Sequence, residues 1–151
     1  MDLGLRGKAA LVTGASRGLG EAIALELAAE GVHVCLAARD AAKRAEAAAI
    51  TSRAQARCVT FAGDLHDGET MQAAVAHGVN AFGRLDILLN NAGATKRGDF
   101  FALTDDDWQG GYALKFHGYV RATRAAWPHL KATGGTVINI VGIGARAGTA
   151  H

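Results

Sequence analysis

Thr13-Gly14-Ala15-Ser16-Arg17-Gly18-Leu19-Gly20 is the stretch that decides the fold. The residues before it, Ala9 to Val12, are uniformly apolar, as a strand buried on both faces requires. The residues after it place Leu19, Ile23 and Leu27 at helical spacing, with Glu21, Glu26 and Glu30 on other faces and Gly31 as a stop. A glycine cluster therefore joins a buried strand to a helix. Glycines at such a joint permit a tight turn and a close approach of backbone to ligand. The helix N-terminus adds unpaired N–H groups and a partial positive charge. The arrangement suits a pyrophosphate; the other use of such a cluster is a plain structural turn.

Outward from this joint the chain alternates short apolar runs with longer amphipathic ones, the pattern of a parallel sheet covered by helices. Val32, Val34 and Leu36 predict a second strand, and an alanine-rich helix is expected from about Asp40 to Ala54. Cys58 to Phe61 reads as a third strand. Met71, Val75, Val79 and Phe82 mark the next helix, with Asp67 as its cap, and Leu85 to Leu89 a fourth strand. Thr104 and Asp107 have capping-box spacing ahead of a long helix carrying Tyr112, Phe116, Val120 and Trp127, with a kink expected at Pro128. Gly134-Gly135 turn into a fifth strand, Thr136 to Val141. Right-handed crossovers then give a doubly wound α/β sheet of order 3-2-1-4-5, with ligands at the C-terminal ends of the strands beside strand one.

Composition agrees and excludes other classes. Half of the 151 residues are hydrophobic, enough for one domain over residues 1–151, and 20 glycines against one proline indicate many tight turns rather than a disordered chain. A formal net charge of +2 from scattered Lys and Arg gives no nucleic-acid footprint. No run is long enough to span a bilayer, and Met1 to Lys8 lacks the apolar core of a signal peptide, so a cytoplasmic protein is expected. Cys35 and Cys58 sit in apolar strand-like runs and are expected to be buried, reduced thiols. The six histidines show no metal-ligand spacing, and no metal site is expected.

The glycine spacing is T-G-x-x-x-G-x-G, not G-x-G-x-x-G. Asn90-Asn91-Ala92-Gly93 closes strand four and Gly63-Asp64-Leu65 closes strand three. In these motifs, at these strand ends and in this order, the whole chain resembles the short-chain dehydrogenase/reductase family. The resemblance implies an oxidoreductase fold that binds a nicotinamide dinucleotide through Gly14, Ser16, Arg17, Gly18, Leu19, Gly20, Arg39, Asp64, Leu65, Asn91, Ala92 and Gly93, with Asp64 at the adenine. An NAD site usually carries an acid at the end of strand two for the ribose 2′-OH. Here that strand ends Ala37-Ala38-Arg39, and Arg17 reaches the same corner, so two guanidinium groups suit the 2′-phosphate of NADP(H) over NAD(H). Asp40 is a counter-signal unless it caps the next helix.

The resemblance also marks departures. The family's catalytic Asn falls on Lys115, and its Ser on Gly142 after Asn139-Ile140-Val141. Its Tyr and Lys are expected just past His151, so the domain is expected to be C-terminally incomplete, with no catalytic residue assigned. Tyr112 and Tyr119 lack the Y-x-x-x-K spacing. Lys115 is either a relay or a new positive charge in the site, or else it snorkels to the surface or pairs with an acid. Two readings stay open: an enzyme domain acting on a carbonyl/alcohol pair with an unknown small-molecule substrate, and a non-enzymatic NADP-binding or interaction module or inactive fragment. The aromatic stripe on the long helix would be exposed without a further helix, and a homo-oligomer is expected.

Overall fold

The computed structural model describes residues 2–39 and 56–142. Five parallel strands form one sheet: β1 (Ala9–Thr13), β2 (His33–Ala38), β3 (Cys58–Ala62), β4 (Ile87–Asn90) and β5 (Thr136–Asn139), in the order β3-β2-β1-β4-β5. This is the doubly wound order that the sequence predicts. The winding reverses at β1, which pairs with β2 on one side and β4 on the other.

The pleat sends alternate residues of the central strands into two cores. Ala10 and Val12 of β1, Val34 and Leu36 of β2, and Ile87 and Leu89 of β4 pack on one face with Ala24 and Ala28 of helix α1 (Gly18–Ala29). Leu11, Cys35, Ala37 and Leu88 pack on the other face. There they meet Met71, Ala74 and Val75 of α2 (Gly68–Phe82) and Ala122, Ala126 and Leu130 of α4 (Gly118–Thr133). Continuous apolar runs in β1 and β4 are thus explained by burial on both sides. The buried stripe of α1 is Gly20, Ala24 and Ala28, while Ile23 and Leu27 are half-buried and Leu19 is exposed. Small residues at i, i+4 and i+8 let this helix lie close against the strands.

Expected caps are present. Asp67 accepts from the Thr70 amide at 2.7 Å, and Thr104 and Asp107 form a reciprocal capping box that starts α3 (Asp105–Tyr112). Some expectations need correction. The long helix continues with Pro128 inside it, and the irregularity that the sequence did not announce is a wide π turn over Ala113–His117 between α3 and α4. An extra residue in one turn is a known source of helix irregularity and recurs at functional sites. Strand four starts at Ile87 rather than Leu85, because the preceding residues form a polar clamp. Buried Asp86 accepts from the Ala9 amide at 2.8 Å and takes the Arg84 guanidinium through both oxygens at 2.8 and 2.7 Å. Strand five is also shorter than expected, closing at Asn139. The alanine-rich helix expected over residues 40–54, with the proposed Asp40 cap, lies outside the described residues.

Cys35 is fully buried, and desolvation pushes its thiol up to about 12. Cys58 is only partly buried, against the expectation, and its thiol is pushed up to about 11 by burial. The two cysteines are free and belong to opposite faces of the sheet, because β2 and β3 pair with Cys35 opposite Val59 and Val34 opposite Cys58.

Candidate functional site

The crevice sits where the fold predicts it, at the C-terminal ends of β1, β2, β3 and β4. It encloses about 520 Å³, and its walls include Gly14, Ser16, Arg17, Leu19 and Asn91. Arg39, Asp64, Leu65, Ala92 and Gly93 of the predicted set also lie on its surface, so the three motifs face one cavity. Gly18 and Gly20 are not lining residues. Their contribution is to the shape of the loop.

The floor is tied together at the tips of β1 and β4. The Thr13 hydroxyl, 1% exposed, donates to the Leu89 carbonyl at 3.2 Å and accepts from the Asn91 and Ala92 amides at 3.0 and 3.1 Å. The Asn91 side-chain amide donates to the carbonyls of Thr13 and Gly14 at 3.2 and 3.1 Å. Asn91, a predicted cofactor residue, thus uses its amide nitrogen to hold the glycine loop. Gly14 has φ +67°, and a Cβ there would lie 2.7 Å from the Ala92 Cα. A Cβ on Gly20 would overlap the Asn91 amide nitrogen and lie 2.6 Å from the Gly14 carbonyl oxygen. The first and last glycines of T-G-x-x-x-G-x-G are therefore a packing requirement, because both ends of the loop press against the β4 turn, whereas a Cβ on Gly18 would meet nothing within 4 Å and that glycine is set by its φ of +61°.

The start of α1 differs from that of the other helices that follow loops. Asp67 caps α2 and Thr104 caps α3, but Arg17 at the N-cap of α1 makes no side-chain cap hydrogen bond. The first N–H groups of any α-helix lack intrahelical partners, and here they open on the crevice with a favourable dipole for an anion. Arg17 and Arg39, both exposed, add two cations on the crevice wall.

At the outer corner, Asp64 is engaged by His66, a residue that motif reading passed over. The His66 ring Nδ1 lies 2.6 Å from Asp64 Oδ1, and the His66 amide donates to the same oxygen at 3.2 Å. These hydrogen bonds from His66, with the nearby Arg39 charge, hold the Asp64 carboxyl below the usual range. The signal in the sequence was position alone: His66 directly follows Asp64-Leu65 in the turn that closes β3. Ala38, read in the sequence as standing in the acid's place, lines the crevice, as do Ala94 and Leu114, which were not predicted.

Lys115 stands in the middle of the π turn. It is half-buried, with its chain so close to Gly93 that a Cβ there would lie 3.1 Å from the Lys115 Cδ and 3.3 Å from Nζ. Its ammonium sits 5.8 Å from the centre of the Tyr119 ring, a cation–π distance. Among the described residues no carboxylate bonds to it, whereas the nearby Lys96 is paired with Asp107 at 3.1 Å. Beyond Lys115 lies a second concavity of about 380 Å³, walled largely by Leu103, Trp108, Tyr112 and Phe116. The Tyr119 hydroxyl donates to the Ile140 carbonyl at 2.9 Å, and burial pushes its pKa up. Gly142 is exposed.

Comparison with known proteins gives the arrangement a family. L-sorbose reductase from Gluconobacter frateurii, solved with NADPH and L-sorbose, superimposes with a TM-score of 0.91 at 35% identity, covering 97% of this chain and 56% of that one. A short chain dehydrogenase from Burkholderia cenocepacia J2315 in complex with NADP gives a TM-score of 0.88 at 36% identity, covering 97% of this chain and 60% of that one. In sequence, trans-4-hydroxycyclohexanecarboxylate dehydrogenase from Sinomonas cyclohexanicum is 35% identical across 93% of this chain, which spans 57% of that relative's length. A family-wide sequence comparison matches residues 8–151 to short chain dehydrogenase. With the strand order, the glycine loop and the Asn91 tie already in place, that match identifies the chain as belonging to the short chain dehydrogenase family.

Proposed function

We propose that residues 1–151 are one dinucleotide-binding domain of an oxidoreductase acting on a carbonyl/alcohol pair, and that it prefers NADP(H) to NAD(H). The observation that carries the reading is the glycine loop. It is pressed against the β4 turn so tightly that a Cβ at Gly14 or Gly20 would collide, and it leads into a helix with no side-chain cap. Such a joint leaves backbone N–H groups for the pyrophosphate. Gly14, Ser16, Arg17 and Leu19 would line it on one side, and Asn91, Ala92 and Gly93 on the other. The bound nicotinamide would supply hydride transfer to or from the substrate carbon. The concavity beyond Lys115 is our candidate for the substrate's side, since Lys115 lies both on its wall and against Gly93, and Trp108, Tyr112, Phe116 and Tyr119 also line it.

The NADP(H) preference rests on charge. Ala38 stands where an acid would repel a 2′-phosphate, and Arg17 and Arg39 share the wall. Relatives solved with NADPH and with NADP support it. The exposed aromatic face of Trp108, Tyr112, Phe116, Val120 and Trp127 is consistent with an oligomer. Among the described residues no helix is long and apolar enough to cross a membrane.

The test is calorimetric titration of the chain with NADPH and NADH. NADPH should bind more tightly. Arg39→Ala should weaken it by at least tenfold, matching the loss of about 1.5–3 kcal/mol for a hydrogen bond to a charged group, and leave NADH within twofold. Binding of neither nucleotide would overturn the reading; equal losses for both would remove only the NADP(H) preference.

A further inference from the structure

The concavity beyond Lys115 has three charged side chains on its wall, Lys96, Asp107 and Lys115, set among Trp108, Tyr112 and Phe116. Two of the three charges cancel. Asp107 Oδ2 accepts from the Lys96 ammonium at 3.1 Å, and from the amide and the hydroxyl of Thr104 at 3.0 Å each, within the cap that starts α3. A carboxylate committed to a helix cap does not turn toward Lys115. The net charge of the wall is therefore that of Lys115, whose ammonium carries three donors. Within the described residues it meets the face of the Tyr119 ring at 5.8 Å and no acceptor, while the Tyr119 hydroxyl is bonded to the Ile140 carbonyl. A ring face attracts the charge but leaves the N–H groups unused. The stem of Lys115 packs against Gly93, so the ammonium stands at the border between the dinucleotide crevice and the concavity.

We propose that Lys115 anchors a carboxylate of the substrate, so that the compounds taken by this domain are carbonyls or alcohols carrying one carboxylate on an apolar body. The inference rests on the oxidoreductase reading above and names the substrate class of its second concavity. One uncancelled positive charge in a largely aromatic wall is matched by a monoanion with an apolar remainder. A neutral ligand lying in the concavity would cover the ammonium and leave it without an acceptor, which costs the desolvation of a charged group. A dianion such as a phosphate monoester would bring a second charge that no described side chain of the wall answers. The place of Lys115 beside Gly93 puts the carboxylate at the edge of the cofactor crevice and the apolar body toward Trp108, Tyr112 and Phe116.

The experiment titrates the full chain, saturated with NADP+, with benzoate, with its neutral counterpart benzamide and with phenyl phosphate. Binding is read from Trp108 fluorescence in a Trp127→Phe background, which leaves the tryptophan of the concavity wall as the sole one. Benzoate should bind about tenfold more tightly than benzamide, the scale of a hydrogen bond to a charged group, and more tightly than phenyl phosphate. Lys115→Met, which keeps the stem and removes the charge, should bring the benzoate-to-benzamide ratio below about twofold, since no charge-assisted bond is then made. Arg124→Gln removes an exposed cation of α4 that does not line this concavity, and should leave the ratio intact. A ratio kept in Lys115→Met overturns the proposal. So does an equal loss of both probes there, which a distorted pocket would produce, and so does a collapse of the ratio in Arg124→Gln, which would point to the field of the whole chain. Phenyl phosphate bound more tightly than benzoate overturns the carboxylate as the matching anion. The comparison with Lys115 intact decides without that substitution: NADP+ bound with no preference for benzoate overturns this inference alone. A chain that binds no dinucleotide overturns the reading beneath it as well.

Discussion

Strands β1 and β4 are tied to each other at both ends, and the two ties are built from different chemistry. At the N-terminal end the tie is ionic: Asp86 takes the Ala9 amide and the Arg84 guanidinium together. At the C-terminal end, under the crevice, the tie is neutral: a hydroxyl and a carboxamide, Thr13 and Asn91, make five hydrogen bonds to backbone groups. Both join the strands, yet only the upper one faces the proposed pyrophosphate. A carboxylate there would repel phosphate at short range, and more strongly than in bulk water because the effective dielectric near a protein surface is lower. The lower tie has no ligand to repel. Among the described residues the acid on the crevice wall is Asp64, which sits at the outer corner, already engaged by His66 and near Arg39.

The comparison is broken most severely by giving the upper tie a charge. Asn91→Asp keeps the shape but turns a donor into an acceptor facing the carbonyls of Thr13 and Gly14. Losing both bonds and adding repulsion should lower NADPH affinity on the order of 100-fold, about 2.7 kcal/mol. Calorimetry beside a thermal melt separates this from simple unfolding. If the variant binds NADPH within threefold of wild type, neutrality of the upper tie is not what the crevice needs.

The mirror change at the lower tie should affect stability instead. Asp86→Asn should reduce unfolding free energy by about 1.5–3 kcal/mol, the range for hydrogen bonds to a charged group, with NADPH affinity changed less than twofold. The acid limb gives a second check. Burial pushes the Asp86 carboxyl up, but the Arg84 fork and the Ala9 amide outweigh it, so its pKa in the folded state lies below the usual value. Its stabilisation is therefore present above the ordinary aspartate range, near pH 4, and is lost as pH falls through the lower folded value. Denaturant titrations from pH 6 down to pH 2 should show the Asn variant with the shallower loss. An unchanged slope would mean that Asp86 is not a source of acid sensitivity.

The smallest effect is expected at Gly18, in the loop beyond the upper tie, where α1 begins. Its φ is +61°, but a Cβ there would meet nothing within 4 Å. Gly18→Ala should therefore lower stability by about 1 kcal/mol through backbone strain and change NADPH affinity no more than threefold. A tenfold loss of NADPH would show that the open space above Gly18 belongs to the ligand.

What the sequence determined by itself was whatever repeats locally or lies at strand ends. Period and run length located each of the described strands and helices, because burial on two faces or on one stripe imposes those patterns wherever the segment lies in the chain. The Asp67 and Thr104 caps were legible for the same reason, since donor and acceptor lie three residues apart. The motifs placed Gly14, Asp64 and Asn91 at one crevice because all three end parallel strands. Only the tertiary structure decided what those residues do to one another. Asn91 reaches Thr13 and Gly14 across more than 70 residues of sequence, Lys115 lies against Gly93 through a π turn with no composition cue, and Arg121 steadies His66 from a different helix. Such contacts depend on which strand lies beside which and on how a helix is rotated. Those are outcomes of packing two cores against one sheet, and no local spacing records them.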